Sequence, residues 1–435
     1  MTRVSTSMIF DQGVTNMRNA QTALLKTQEQ ISSGRRLLTP ADDPIAAARS
    51  LDVQQSQAIN TQYSRNGDSA KATLGLEDNA LASVTTLLQN AKTLAVNAGD
   101  GALSQQDLDT IGQQLRSQYQ QLLGLANSTD GNGQYLFAGY QSSTRPFAET
   151  APGVVAYSGD QGQRLIQISA SRQVPISDAG SDVFQLIKNG NGTFVTAAGA
   201  SNTGSGIVSP GSVVDQTAWN AAGNPKDFTI KFYVDNSVSP PVTTYDIVDN
   251  STGNSLETGA PSGAGPYLRT FTDGGTISLQ TQSPPDTNAT PFDYGIQLSV
   301  QGQPATGDTF TVKASTNQDL FTTLDNLITA VQTAVRTPLG NTQLANALNT
   351  AQSNLDSALN NVLAVRAAVG TRLQEVGTAQ STSSDLNLQY QQTVSNLTDL
   401  DYAKAISDLT FQQTTLQAAQ QSFAKIEGLS LFNFL

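Results

Sequence analysis

Two apolar stripes with a seven-residue period lie at opposite ends of this chain, and they constrain its fold more than any other feature. Phe10, Met17, Leu24, Ile31 and Leu38 form the first, and Tyr402, Leu409, Leu416 and Phe423 form the second. A seven-residue apolar repeat keeps one face of an α-helix turned toward a partner helix. Neither stripe has a partner nearby in sequence, so the two ends must pair with each other or with other subunits. Phe10, Met17, Leu24, Ile31, Tyr402, Leu409, Leu416 and Phe423 are therefore the candidate assembly-interface residues. Gln21, Gln28 and Gln413 interrupt the second row of each stripe. Helices this polar are marginal alone, which predicts ends that are mobile in a monomer and become ordered when neighbours cover them.

Backbone-breaking residues divide the rest. Residues 141–315 hold 13 of the 16 prolines and 20 of the 35 glycines. Both types are excluded from helix interiors, so the flanks read as helical and the middle does not. The expected fold is mainly α with a β insertion (α+β). Residues 1–38 and 398–435 form a terminal coiled coil, 39–140 and 316–397 a helical bundle rod, and 141–315 one or two β-rich outer domains.

In the N-terminal flank a first helix covers about 6–33 and stops at Ser33-Gly34-Arg35. A second opens at Asp42-Asp43-Pro44, with Asp43 as N-cap, Pro44 in the first helical position and the acidic pair suited to the helix dipole. It runs to about Ala98 with Leu74, Leu81 and Leu88 on one face. Ser104 and Asp107 make a capping box for a third helix, whose seam is Leu108, Leu115 and Leu122. In the C-terminal flank a short helix spans about 318–336. After Pro338-Leu339-Gly340 a long one carries Leu348, Leu355, Val362, Val369 and Val376. Thr398 and Asp401 resemble a second capping box, which predicts a separate final helix ending near Gly428.

In the middle, 228–234 and 276–279 alternate as strands do, and 294–300 with 309–312 predict a hairpin. The Ser/Thr/Gly-rich run from Gly199 to Ser212 reads as a flexible surface loop. Asn191, Asn250 and Asn288 stand in Asn-x-Ser/Thr triplets, which are common by chance in such a segment.

Composition removes whole classes of chemistry. The chain has no cysteine and no histidine, so thiolate chemistry, disulfides and the commonest base, metal ligand and pH switch are absent. Without histidine, assembly is expected to be insensitive to protonation near neutrality. A net charge of −12 offers nothing for nucleic acid or an anionic membrane. No 18-residue apolar run exists to span a bilayer, and residues 1–10 lack the apolar region of a cleaved secretory signal. Nucleotide-loop, nucleophile-elbow, zinc-protease and EF-hand patterns are all missing. Asp42-Asp43 is a carboxylate pair better suited to capping than to acid–base work. The reading is no enzyme, no cofactor and no metal.

Ile31-Ser32-Ser33-Gly34-Arg35-Arg36-Leu37 followed by Pro40-Ala41-Asp42-Asp43-Pro44 resembles the N-terminal signature of the bacterial flagellin superfamily. Asp130-Gly131-Asn132-Gly133-Gln134-Tyr135-Leu136-Phe137-Ala138-Gly139 is similar to a hallmark of its hook–filament junction branch. Asp399 to Ile406 and the ending Leu429-Ser430-Leu431-Phe432-Asn433-Phe434-Leu435 are similar to that branch too. The resemblance covers about 1–145 and 305–435. It implies terminal helices paired into an inner coiled coil, a surrounding helical rod and an outward β insertion. It further implies unfolded export through the flagellar type III channel with a dedicated chaperone, and an extracellular ring of identical subunits. That ring would lie between a neighbouring hook-associated junction protein and flagellin. Two other readings remain at this point: a flagellin filament subunit, or a secreted glycan- or host-binding module using Trp219, Tyr233 and Tyr245 of the insertion.

Overall fold

A computed structural model describes residues 6–428; the tail 429–435, which carries part of the resemblance, lies outside the described residues. The fold is mainly helical with a central β insertion. The helices are α1 (Thr6–Ser33), α2 (Pro44–Ala98), α3 (Gln105–Ala126), α4 (Gly180–Phe184), α5 (Gln216–Asn220), α6 (Leu320–Thr333), α7 (Pro338–Thr398) and α8 (Tyr402–Gly428). Their starts follow local capping chemistry. Asp43 Oδ1 accepts from Ala46 N–H (3.0 Å) ahead of α2, with Pro44 as the first helical residue. The Ser104/Asp107 box is complete at α3, and Asp319 caps α6 through Thr322 N–H. The Thr398–Asp401 box does not form. Thr398 ends α7 with its hydroxyl turned back to Val394 O, and Asp401 alone caps α8 through Lys404 N–H.

The chain packs as two compact units. One comprises everything described up to Asp68, Gln167–Arg172 and everything from Gly377 on; the other comprises Ser69–Ile166 and Gln173–Val376. In the first unit α2 and α7 meet through a buried reciprocal pair. Asn60 Nδ2 donates to Ser383 O (2.7 Å) and Ser383 Oγ to Asn60 O (3.2 Å). Gln380 donates to Asp68 (2.7 Å) close by.

In the second unit the heptad seams of the sequence are fully buried: Leu74, Leu81 and Leu88 of α2, Leu108, Leu115 and Leu122 of α3, and Leu348, Leu355, Val362, Val369 and Val376 of α7. Phe137, Phe147, Phe184 and Phe321 join them in a ring cluster with centroids 5.2–6.2 Å apart. The 130–139 motif supplies part of that core. Asp130 accepts from Asn132 and Gln134 N–H, and the turn drives Leu136, Phe137 and Ala138 inward. Gly139 sits at φ +68° with Asp160 against it, a position that excludes a side chain.

A buried ion pair in this unit has a third carboxyl beside it. Arg372 forks onto both Asp178 oxygens (2.9 Å each). Glu77, beside them on α2, accepts the Asp178 N–H (3.1 Å). Burial first, and the Asp178 charge second, push Glu77 up to about 8. Burial thus brings a carboxyl of the second unit toward the range where histidine ordinarily titrates, at a place apart from the seam residues of α1 and α8.

The insertion contributes β1 (Phe147–Ala151), β2 (Val154–Tyr157), β3 (Leu165–Ser169), β4 (Arg172–Pro175), β5 (Ile187–Lys188), β6 (Phe194–Ala198), β7 (Ile207–Val208), β8 (Ser212–Val213), β9 (Asp227–Asp235), β10 (Val242–Asp249), β11 (Asn254–Ser255), β12 (Arg269–Thr270), β13 (Thr276–Gln280), β14 (Asp293–Gln301), β15 (Thr309–Ala314) and β16 (Asn317–Gln318). Two sheets form a sandwich. One runs β11-β10-β9-β15-β6 with β12 on β10; the other runs β13-β14-β7 with β8 on β14. Phe194, Phe228, Phe232, Ile277, Leu298 and Phe310 share its core.

Three expectations change in the insertion. β14 and β15 are not a hairpin: they belong to different sheets, because the turn after Gln301 crosses the sandwich. That turn has Gly302 and Gly307 at φ +89° and +91°, and Asp308 captures Thr203 and Gly204 N–H. The 199–212 run is not a free loop, since Asn202 and Val208 are buried and it contributes β7 and the start of β8. Trp219 (3% exposed) and Tyr245 (4%) pack in the core, which leaves no three-aromatic face for a glycan. The amide nitrogens of Asn191, Asn250 and Asn288 all donate within the chain; each holds a turn.

Candidate assembly interface

α1 and α8 pack against each other along their lengths. Phe10 and Phe423 meet with ring centroids 5.2 Å apart at 47°. A Cβ on Gly13 would stand 2.9 Å from Phe423 Cδ2, and one on Gly34 2.9 Å from Tyr402 Oη. The start of α1 therefore meets the end of α8 and the reverse, so the pair is antiparallel. Interpolating between these two anchors sets Met17 opposite Leu416 and Leu24 opposite Leu409. Gly13 explains itself in this geometry. A helix-interior glycine costs about 1 kcal/mol relative to alanine, and here it admits the Phe423 ring.

The seam is only half covered. Met17, Leu24, Ile31, Leu409, Leu416 and Phe423 are half-buried, while Phe10 stays 46% and Tyr402 51% exposed. Among the described residues of the two helices only Thr27 and Ala405 are fully buried. Both were missed in the sequence because neither is a large apolar residue at a stripe position. Leu25, Ile406 and Phe411, also off the stripes, are largely exposed. Leu38 continues the seven-residue spacing but not the helix. It lies in the connection after Ser33, where its N–H donates to Asp42 (3.0 Å).

A clasp joins the inner ends of the pair. Gly34 turns the chain out of α1 at φ +69°, a left-handed conformation that favours glycine. Its carbonyl accepts from Leu400 N–H (3.0 Å), and Arg36 N–H donates to Thr398 O (2.8 Å). The Arg36 guanidinium caps the end of α7 at Leu397 O (2.7 Å) and reaches Asp43 (3.4 Å). Cations at a helix C-terminus satisfy its last carbonyls. Gln30 donates to Arg36 O (2.7 Å), fixing the turn from the α1 side.

The two aspartates have separate tasks. Asp42 accepts Lys26 Nζ (2.5 Å) and the N–H groups of Leu38 and Thr39. The Lys26 hydrogen bond first, then Thr39 N–H, lower it to about 2. Asp43 caps α2 and is also held below the usual carboxylate range, by Ala46 N–H first and then by Arg36. Neither carboxylate has the raised pKa of an acid catalyst. Among the described residues no group of three or more His, Cys, Asp or Glu side chains could hold a metal ion. Among the described residues no helix is long and apolar enough to cross a membrane. The arrangement presents paired helices, a clasp and uncovered apolar side chains, which suit assembly with other polypeptides.

Comparisons with known proteins agree with this architecture. Residues 4–142 match the family described as the bacterial flagellin N-terminal helical region. Flagellar hook-associated protein 3 of Escherichia coli K12 is 30% identical, with the alignment covering 99% of this chain and 98% of the relative. Its counterpart from Salmonella typhimurium LT2 is 28% identical over the same shares. The crystal structure of the flagellar junction protein FlgL from Legionella pneumophila superposes with a TM-score of 0.68 at 25% identity, covering 81% of this chain and all of that one. End-to-end agreement of this kind, together with the paired terminal helices and the inserted sandwich, shows that the chain belongs to the flagellar hook-associated protein 3 family of flagellar junction proteins.

Proposed function

We propose that this chain is a structural adaptor of the bacterial flagellum. Identical subunits form a ring at the hook–filament junction, with a neighbouring hook-associated junction protein on one side and flagellin on the other. The observation that carries the proposal is the half-covered antiparallel pair of α1 and α8. Phe10, Met17, Leu24, Ile31, Tyr402, Leu409, Leu416 and Phe423 form a seam with apolar surface left over for neighbouring subunits. A contiguous apolar stripe left uncovered on a folded chain marks a contact surface. Residues 1–38 and 398–435 act as the inner coiled coil, 39–140 with 316–397 as the rod and 141–315 as the outer domain. The subunit travels unfolded through the flagellar type III channel with an export chaperone, and it orders fully on assembly. It works by shape and packing, without catalysis.

Electron microscopy of a strain lacking this gene, with flagellin assayed in the medium, tests the reading. Bare hooks and flagellin lost to the medium are expected. Bare hooks with no flagellin made or shed would instead indicate a filament subunit. Intact filaments would sink the adaptor. Leu416→Asp, supplied to that strain, is expected to leave hooks bare while Trp219 emission remains that of a folded insertion. Normal filaments would refute the role of the seam.

A further inference from the structure

One end of the outer sandwich is closed by charge. Arg269, 2% exposed, leaves β12 in the first sheet and forks onto Asp286 (Nε–Oδ1 2.9 Å, Nη2–Oδ2 2.6 Å). The same guanidinium donates to Ser278 O (3.2 Å) and Gln280 O (2.8 Å) of β13 in the second sheet. It therefore bolts the two sheets together. Two further carboxyls lie with it: Glu257, whose Oε1 is 3.7 Å from Arg269 Nε, and Asp246. Both are buried.

Glu257 and Asp286 face the one cation and Asp246 stands against Glu257; three buried carboxyls beside a single cation disfavour full ionisation. The hydrogen bonds decide which one holds the proton. Asp246 accepts two hydroxyls at 2.6 Å, from Ser255 and Ser262. Asp286 accepts the arginine fork and Gln282 N–H (2.8 Å). Glu257 Oε1 has no hydrogen-bond partner and the carboxyl is met by one backbone N–H, that of Leu268, so ionising Glu257 gains least. We propose that Glu257, Asp246, Arg269 and Asp286 form a proton-held latch: with the proton on Glu257, the connections 256–268 and 281–292 are closed over both sheets, and its loss loosens them. The backbone of Glu257 explains why these segments respond together. Its carbonyl accepts Thr287 and Asn288 N–H (2.8 Å each), so the two connections share one residue.

The titratable groups facing Glu257 are Asp246 and Tyr245 from β10, Arg269 from β12, Asp286, and Tyr267 on its own connection. Burial first, and the Asp246 charge second, push Glu257 up to about 8. Burial raises both tyrosines above their ordinary value of 10, outside this window. An acid whose proton is retained on folding contributes stability below its unfolded pKa, near 4.5, and loses it as pH rises toward about 8.

Thermal unfolding of the full-length chain, read by Trp219 in the same core, tests the latch. Glu77 titrates in the same unit, so the comparison is made with Glu77→Gln present throughout. From pH 6 to 8 that protein is expected to lose roughly 5–10 °C of midpoint. Adding Glu257→Gln, which keeps the neutral shape, is expected to abolish the fall. Parallel falls in the two proteins would overturn the latch. If Glu257→Gln prevents folding, amide exchange of the unmutated chain decides. After correction for intrinsic rates, protection at 256–268 and 281–288 should drop more between pH 6.5 and 9 than protection in β9. Equal changes would overturn the proposal.

Discussion

Replacing Gly13 with alanine should change sign according to whether the Phe423 ring is there. In an ordinary exposed helix the substitution stabilises by about 0.8–1.0 kcal/mol through propensity. Here the new methyl would stand 2.9 and 3.1 Å from two ring atoms of Phe423. The ring must withdraw by several tenths of an ångström, which disturbs its 5.2 Å pairing with Phe10. Losing that pairing costs about 0.5–1.5 kcal/mol, and forcing extra volume into a fitted contact costs about 1–3 kcal/mol. The net expectation is a loss of about 1 kcal/mol in the otherwise unchanged chain. With Phe423→Ala present, the propensity gain of about 1 kcal/mol should return. The swing of about 2 kcal/mol is roughly a 30-fold difference in local opening constants. Hydrogen exchange of the α1 and α8 amides, measured on both single variants and the double, reads it directly. If Gly13→Ala stabilises α1 equally in both backgrounds, the ring does not sit over Gly13, and the antiparallel register built on that contact is wrong.

Three further outcomes are expected. Asp42 should titrate near 2, so its contribution to the clasp is present above pH 3.8 and lost as pH falls toward 2; Lys26→Met should move its carboxyl NMR titration back toward 3.8, and an unmoved titration would remove Lys26 as the main cause. Asn60→Ala should destabilise the α2–α7 contact by about 1–2 kcal/mol in urea unfolding, because its amide is the buried donor to Ser383 O; a loss below about 0.3 kcal/mol would show the pair to be dispensable. Glu77→Gln should flatten part of the decline in stability between pH 4.5 and about 8, since burial holds the Glu77 proton in the folded state; an unchanged slope in pH-dependent melting would mean that Glu77 is already ionised at neutrality.

The helical skeleton was legible because its signals are local. Heptad spacing, Asp43 before Pro44, and the Ser104–Asp107 box act within one or two turns, so they read directly off neighbouring residues. The strands at 227–235 and 276–280 were legible for the same reason. Thr398 was misread as a cap because its hydroxyl donates to Val394 O, one turn back, instead of accepting a backbone N–H ahead of it; sequence cannot rank two local hydrogen-bond partners. Thr27 and Ala405 are buried but were invisible as such in the sequence, because neither is a large apolar residue.

By itself, then, the sequence determined where helices begin, which faces are apolar and which segment must be β. The tertiary structure alone decided which surfaces meet. Pairing α1 with α8 and clasping Gly34 to Leu400 join residues more than 360 positions apart, and no local propensity encodes that. Sending β14 and β15 to different sheets and setting Glu257 and Asp286 against Arg269 are choices of the same kind. Closing such distances costs chain entropy that only simultaneous burial and hydrogen bonding across many contacts offset. Partner choice is for that reason a property of the assembled fold rather than of any single stretch of residues.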